Sequence, residues 1–144
     1  MYTGFLYLHD GLRWLILLAF IITLVKYLYG WLGDQGWKKL DNIAGAVLTG
    51  LMDLQLLTGL VLYFFLSDLT KVAFSDFGGA MKNADLRFYA VEHLFMMLIA
   101  VVLVHIGRAK SKKAVFDRDK FRHGAIFFLI ALVVILAGIP WNRL

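Results

Sequence analysis

Four stretches of this chain are apolar over lengths that match the hydrocarbon core of a bilayer. They run from about Phe5 to Tyr29, from Ile43 to Leu66, from Phe88 to Gly107 and from about Ala125 to Ile139, the last extending back toward Phe121. A membrane-spanning helix needs roughly 20 such residues. Within hydrocarbon every backbone N–H and C=O must be bonded inside the protein, which leaves only helices and closed barrels. The runs are continuous and lack the period-2 alternation of barrel strands. The expectation is an all-α, integral membrane four-helix bundle, with residues 1–144 forming a single domain. Composition agrees: 61% of the residues are hydrophobic, against about 45–50% in soluble domains. A water-soluble core of this size could not bury that surplus.

The basic residues orient the bundle. Lys26, Lys38, Lys39, Arg108, Lys110, Lys112, Lys113, Arg118, Lys120 and Arg122 fall at the loops joining spans one to two and three to four. Only Arg13, Lys71, Lys82, Arg87 and Arg143 belong to the other side. Ten against five puts the basic loops in the cytoplasm and both termini on the outer, periplasmic side of a bacterial inner membrane. Trp31 and Trp37 then mark the inner interface and Trp141 the outer one. The positive charge is explained by topology, so no nucleic-acid partner is expected. No cleavable signal is expected either, because the first residues lack a basic run and His9, Asp10 and Arg13 interrupt the first apolar stretch. There is no cysteine, which excludes disulfides, thiolate metal sites and c-type haem attachment. Asp41 and Asn42 are candidate caps for span two and Asp85 for span three, with Gly107 and Pro140 as stops. Ser67 to Leu86 is expected to form a short packed loop or interfacial helix.

Polar residues inside the spans carry the functional argument, since an ionisable group in hydrocarbon must be paired, ligated or wet. His9 lies roughly 6 Å and His93 roughly 9 Å below the same surface, at 1.5 Å rise per residue. Two histidines at one depth on different helices suit a bis-histidine metalloporphyrin; the plainer alternative is that each bonds a neighbouring helix. Arg13, one turn from His9, pairs with Asp10 or with a haem propionate. Asp53 sits near the bilayer midplane. With Ala46 and Gly50 leading up to it as a small-residue face, it is expected to look into the bundle, as a proton relay or as a neutral acid bonded across helices. His105 and His123 lie near the inner interface, but His105 is about 120° out of phase with His93 on the helix, which argues against a stacked second haem. Glu92 either orients a ligand or faces the outer loop. Tyr89 is placed to bond a ligand edge or water. Met96 and Met97 are more naturally packing than ligands.

The segments LHDGLRW (Leu8 to Trp14), DLQLLTGLVLYF (Asp53 to Phe64), DLRFYAVEHLFMMLIA (Asp85 to Ala100), HIGR (His105 to Arg108) and AGIPW (Ala137 to Trp141) together resemble a family of small four-span bacterial membrane proteins described as cytochrome b-like. The layout alone is also similar to four-span protoporphyrinogen oxidases and copper-resistance D proteins. The first resemblance implies haem b in the outer half of the bundle with His9 and His93 as its ligands. The chain departs from that family at Asp53, where relatives commonly carry a histidine. The expected function is haem-dependent electron transfer, with a quinone or a respiratory protein as partner. Two alternatives stand beside it: a membrane porphyrin-oxidising enzyme using the same pocket, and a cofactor-free accessory subunit or proton-conducting bundle centred on Asp53.

Overall fold

A computed structural model describes residues 1–141; Arg143, counted above on the outer side, lies outside them. Among the described residues there is no strand. Seven α-helices follow in order: α1 (Tyr2–Leu32), α2 (Lys39–Val61), α3 (Asp68–Ser75), α4 (Phe77–Ala80), α5 (Ala84–Arg87), α6 (His93–Lys113) and α7 (Asp117–Gly138). A π-turn, Leu62–Leu66, extends α2, and a second, Phe88–Glu92, joins α5 to α6 without a break. The result is four helical units long and apolar enough to cross a membrane: Tyr2–Leu32, Lys39–Leu66, Ala84–Lys113 and Asp117–Gly138.

Each span buries one stripe at 3- and 4-residue spacing. Leu12, Ile16, Phe20, Leu24 and Tyr27 form it on α1, and Phe121, Ala125, Phe128, Ala131 and Ile135 on α7. On α2 it runs through Gly45, Leu48, Met52 and Thr58, and on α6 through Ala100, Val104, Gly107 and Ser111. This period lets neighbouring antiparallel helices interlock along their length. Leucine gains little by leaving lipid for a helix seam, so close packing and small residues must hold the seams. Tyr27 shows how. Its ring lies against α7 where a Cβ on Gly124 would come within 2.5 Å, and its hydroxyl donates to the Asp41 carbonyl at 2.7 Å. Adjacent pairs are α1–α2, α2–α6, α6–α7 and α7–α1, with α2–α6 the loosest seam.

Several sequence expectations are corrected. Span two begins at Lys39, before Asp41 and Asn42. Asp41 still caps it, but from inside the first turn: its carboxylate accepts the Lys38 N–H at 2.9 Å and pairs with Lys26 at 3.4 Å. Asn42 instead accepts from Arg108 at 2.8 Å. Asn83, not Asp85, caps α5 by accepting the N–H groups of Asp85 and Leu86. Gly107 does not end span three. The helix runs on to Lys113 because Gly107 is a packing residue, where a Cβ would come within 2.6 Å of Phe127. α7 stops at Gly138, two residues before Pro140, since proline disfavours helical backbone just ahead of it.

Asp53 does not look into the bundle. Leu48 and Met52 hold the inward stripe of α2, so the next residue is turned about 100° away. Ala46 and Gly50 are exposed, and nothing lies within 4 Å of a Cβ built on Gly50. The segment between spans two and three is structured as α3 and α4, whose Phe74 and Phe77 rings stack at 5.8 Å.

Candidate functional site

Where α1 begins, α2 ends, α6 begins and α7 ends, the inward stripes turn polar. His9 and Thr58 meet there, as do His93 and Gly138. The His9 and His93 rings stand edge to face, with centroids 6.4 Å apart and planes at 78°. The similar depth read from residue counting thus brings the two rings side by side.

Each ring is held through Nδ1. The His93 Nδ1 lies 2.7 Å from the Gly138 carbonyl oxygen. A carbonyl only accepts, so Nδ1 carries the proton and Nε2 keeps its lone pair in the neutral ring. That carbonyl is available because α7 ends at Gly138, leaving its last C=O groups without intrahelical partners. The His9 Nδ1 lies 3.2 Å from the Thr58 hydroxyl oxygen. The same hydroxyl lies 2.9 Å from the Gln55 carbonyl oxygen and 3.4 Å from its Oε1; donating to either leaves it to accept from His9. Gln55 in turn donates from Nε2 to the His9 carbonyl at 2.7 Å, tying the α1 backbone to α2. Gly59 completes the seat, since a Cβ there would come within 3.1 Å of His9 Cε1. The carbonyl fixes the His93 tautomer with Nε2 as acceptor, and His9 takes the same tautomer when the Thr58 proton goes to Gln55.

The two π-turns frame this layer. Phe88–Glu92 ends immediately before His93, and Leu62–Leu66 begins just after the Thr58–Gly59 seat. Such bulges recur at functional sites because they re-aim side chains by one position. Here they are stapled together: the Tyr63 hydroxyl donates to the Ala90 carbonyl at 2.6 Å, and Thr70 from α3 donates to the Tyr63 carbonyl at 2.7 Å. The rings of Phe88 and Tyr89 stand 5.7 and 6.5 Å from that of His93.

Arg13 supplies the charge. Its side chain is only 14% exposed and reaches Asp10 at 3.4 Å from Nη1. The guanidinium lies over the Trp14 ring at 5.2 Å. Its Nε is buried with no hydrogen-bond partner, and its charge acts on both histidine rings. A buried donor without an acceptor is costly, and an anionic oxygen is the group that would satisfy it.

The remaining candidates lie elsewhere. Glu92 forms a 2.6 Å ion pair with Arg87. Met96 and Met97 pack against α7 at Gly138. Asp53 is bonded to His105, with 2.6 Å between Oδ1 and Nε2, and no hydrogen bond links His105 to His123 among the described residues. No cluster of three or more His, Cys, Asp or Glu side chains able to hold a metal ion occurs among the described residues. Sequence reasoning missed Thr58, Gly138 and Tyr63. The signal for two of them, Thr58 and Gly138, was their place on the inward stripes of α2 and α7.

The fold and this layer define a multi-pass helical membrane protein with a paired-histidine, arginine-flanked site inside the bundle. No protein-family model, curated protein or solved structure matches the chain.

Proposed function

We propose that this chain is a b-type haem-binding electron-transfer protein of the bacterial inner membrane, in which His9 and His93 would hold the haem iron and Arg13 would partner a propionate. The observation that carries the reading is the histidine pair itself. His93 is held with Nδ1 as donor and Nε2 as lone pair, and His9 takes the same form when Thr58 donates to Gln55, the arrangement in which a histidine ligates metal while an outer partner fixes its tautomer. The two rings come from different helices with centroids 6.4 Å apart, near enough for both to reach one bound haem. The unpartnered Arg13 Nε fits a carboxylate of the same group. Bound there, haem would supply one-electron redox chemistry. The chain's own part is to hold both imidazoles, offer the guanidinium to an anion, and keep water away with apolar helix surface.

The orientation belongs to the same proposal. The ten basic residues at the α1–α2 and α6–α7 end support a cytoplasmic placement of that end, with the histidine layer in the outer half. Reporter fusions at the N-terminus and in the Ala114–Phe116 loop should report opposite sides of the membrane.

The decisive test is an optical spectrum of protein purified from haem-sufficient cells. A Soret band, accompanied by resolved α and β bands on reduction, is expected, lost in His93→Ala and kept in His105→Ala. A colourless, folded preparation would overturn the reading.

A further inference from the structure

Asp53 and His105 form a second polar contact that the histidine layer does not use. We infer that this pair is a lateral binding site for the oxygen-bearing head of a lipid-soluble carrier of the quinone class, entered from the bilayer between α2 and α6.

The pair bridges the loosest seam of the bundle. Each side chain is 49% exposed, and the neighbours on the same outward faces are apolar: Leu54 and Leu57 on α2, Val102 and Ile106 on α6. What that exposure meets is hydrocarbon. Asp53 stands 14 residues after Lys39, about 21 Å along the helix at 1.5 Å per residue, and 13 residues before the end of the span at Leu66. On α2 that is close to the middle of the span, while on α6 Arg108 follows His105 by three residues, about 4.5 Å, so the pair faces lipid chains on one side and the basic end on the other.

The bridge uses one atom from each residue, Asp53 Oδ1 and His105 Nε2. Among the described residues no hydrogen bond engages Asp53 Oδ2 or His105 Nδ1. The bridge thus leaves one further oxygen and one further ring nitrogen for a ligand. Leaving such groups bare in hydrocarbon is costly, which is why ionisable residues there mark ligand or proton sites. A ligand that satisfies them must arrive through lipid and carry an oxygen that accepts or donates a hydrogen bond. A ring carbonyl or hydroxyl on an isoprenoid tail meets both demands, and an acid–imidazole pair suits it in either protonation state. The site is separate from the histidine layer yet near it: Asp53 is five residues, about 7.5 Å along α2, from the Thr58 that holds His9. The inference supplies the lipid-side partner of the electron-transfer reading and rests on that reading for its purpose, though not for its geometry.

The test is photolabelling in nanodiscs with a short-chain azidoubiquinone. Labelling should saturate, be competed by unlabelled ubiquinone or menaquinone of similar chain length, and map by mass spectrometry to peptides around Asp53 and His105. Asp53→Asn and His105→Gln should each lower it at least tenfold, while His93→Ala keeps it even as any Soret band is lost. That contrast separates failure of this site from failure of the haem reading. Mapping on the unaltered chain decides the matter even where a variant does not fold. Labelling that is non-saturable, maps elsewhere or is indifferent to both substitutions overturns the inference. So does a residue-53 to residue-105 crosslink between two copies that quinone cannot compete, because a second copy would then cover the pair.

Discussion

Thr58→Val is the sharpest perturbation of the histidine layer, because it changes a hydroxyl to a methyl and leaves the shape nearly intact. In the native chain that hydroxyl accepts from His9 Nδ1 at 3.2 Å while donating to the Gln55 carbonyl at 2.9 Å. Valine removes both bonds. The immediate consequence is electronic: nothing then favours the Nδ1–H tautomer of His9, and Nε2 ceases to be the fixed lone pair. Loss of an outer partner of a metal-bound histidine typically weakens binding 10- to 100-fold, about 1.4–2.7 kcal/mol. The cost to the unliganded fold is smaller, because polar contacts between membrane helices average about 0.6 kcal/mol. Haem titration followed at the Soret band should therefore show Thr58→Val between the unaltered chain and His9→Ala. Thr58→Ser, which restores the hydroxyl, should stay near the unaltered chain. A readout free of cofactor is the ¹⁵N spectrum of the imidazoles. Both should appear as the Nδ1–H tautomer, with only His9 shifting toward a mixture in Thr58→Val. Unchanged haem affinity and an unchanged His9 tautomer in folded Thr58→Val would refute the reasoning.

Three further outcomes follow from packing and capping. Tyr63→Phe removes the 2.6 Å bond to the Ala90 carbonyl; it should cost about 0.5–1.5 kcal/mol and raise amide exchange across Phe88–Glu92 more than in α7. Gly124→Leu pushes a side chain into the space of the Tyr27 ring, and such overpacking costs typically 1–3 kcal/mol, seen as a lower midpoint of thermal unfolding in detergent. Asp41→Ala removes the acceptor of the Lys38 N–H and the partner of Lys26. It should destabilise the basic end by roughly 1–2 kcal/mol without altering ligand binding at His9 and His93.

How much of this was written in the sequence depends on which physical constraint spoke. Span number was legible because hydrocarbon admits few backbone solutions: three of the four apolar runs lie inside a long helical unit and the fourth overruns its unit by one residue, Ile139. Span ends were not. Gly107 looks like a stop when only backbone entropy is weighed, but the seam with α7 needs a residue with no side chain beside Phe127, and that contact is invisible until the partner helix is known. Asn83 rather than Asp85 caps α5 for a similar reason: both are capping types, and only the turn from α4 decides which one precedes the first helical N–H. The depth of His9 and His93 was legible by counting residues. Their shared tautomer was not, since it depends on Thr58 having already spent its proton on Gln55.

Asp53 carries the most instructive error, because the reasoning about cost was sound and the inference about direction was not. A carboxylate in hydrocarbon needs a partner, and the choices were a proton relay in the bundle interior or a bond across helices. The heptad on α2 removes the first choice: Gly45, Leu48, Met52 and Thr58 occupy the inward stripe, and a residue adjacent to Met52 must turn away from it. The partner comes instead from His105, which by the same logic sits one residue off the inward stripe of α6 at Val104. The out-of-phase position that disqualified His105 from sharing a face with His93 is what brings it to Asp53. Polar residues on the inward stripe therefore build one layer around His9 and His93, and polar residues one step off it build a second, outward-facing contact. A single helical period read on two helices at once separates the two, and it makes them independently testable by substitution.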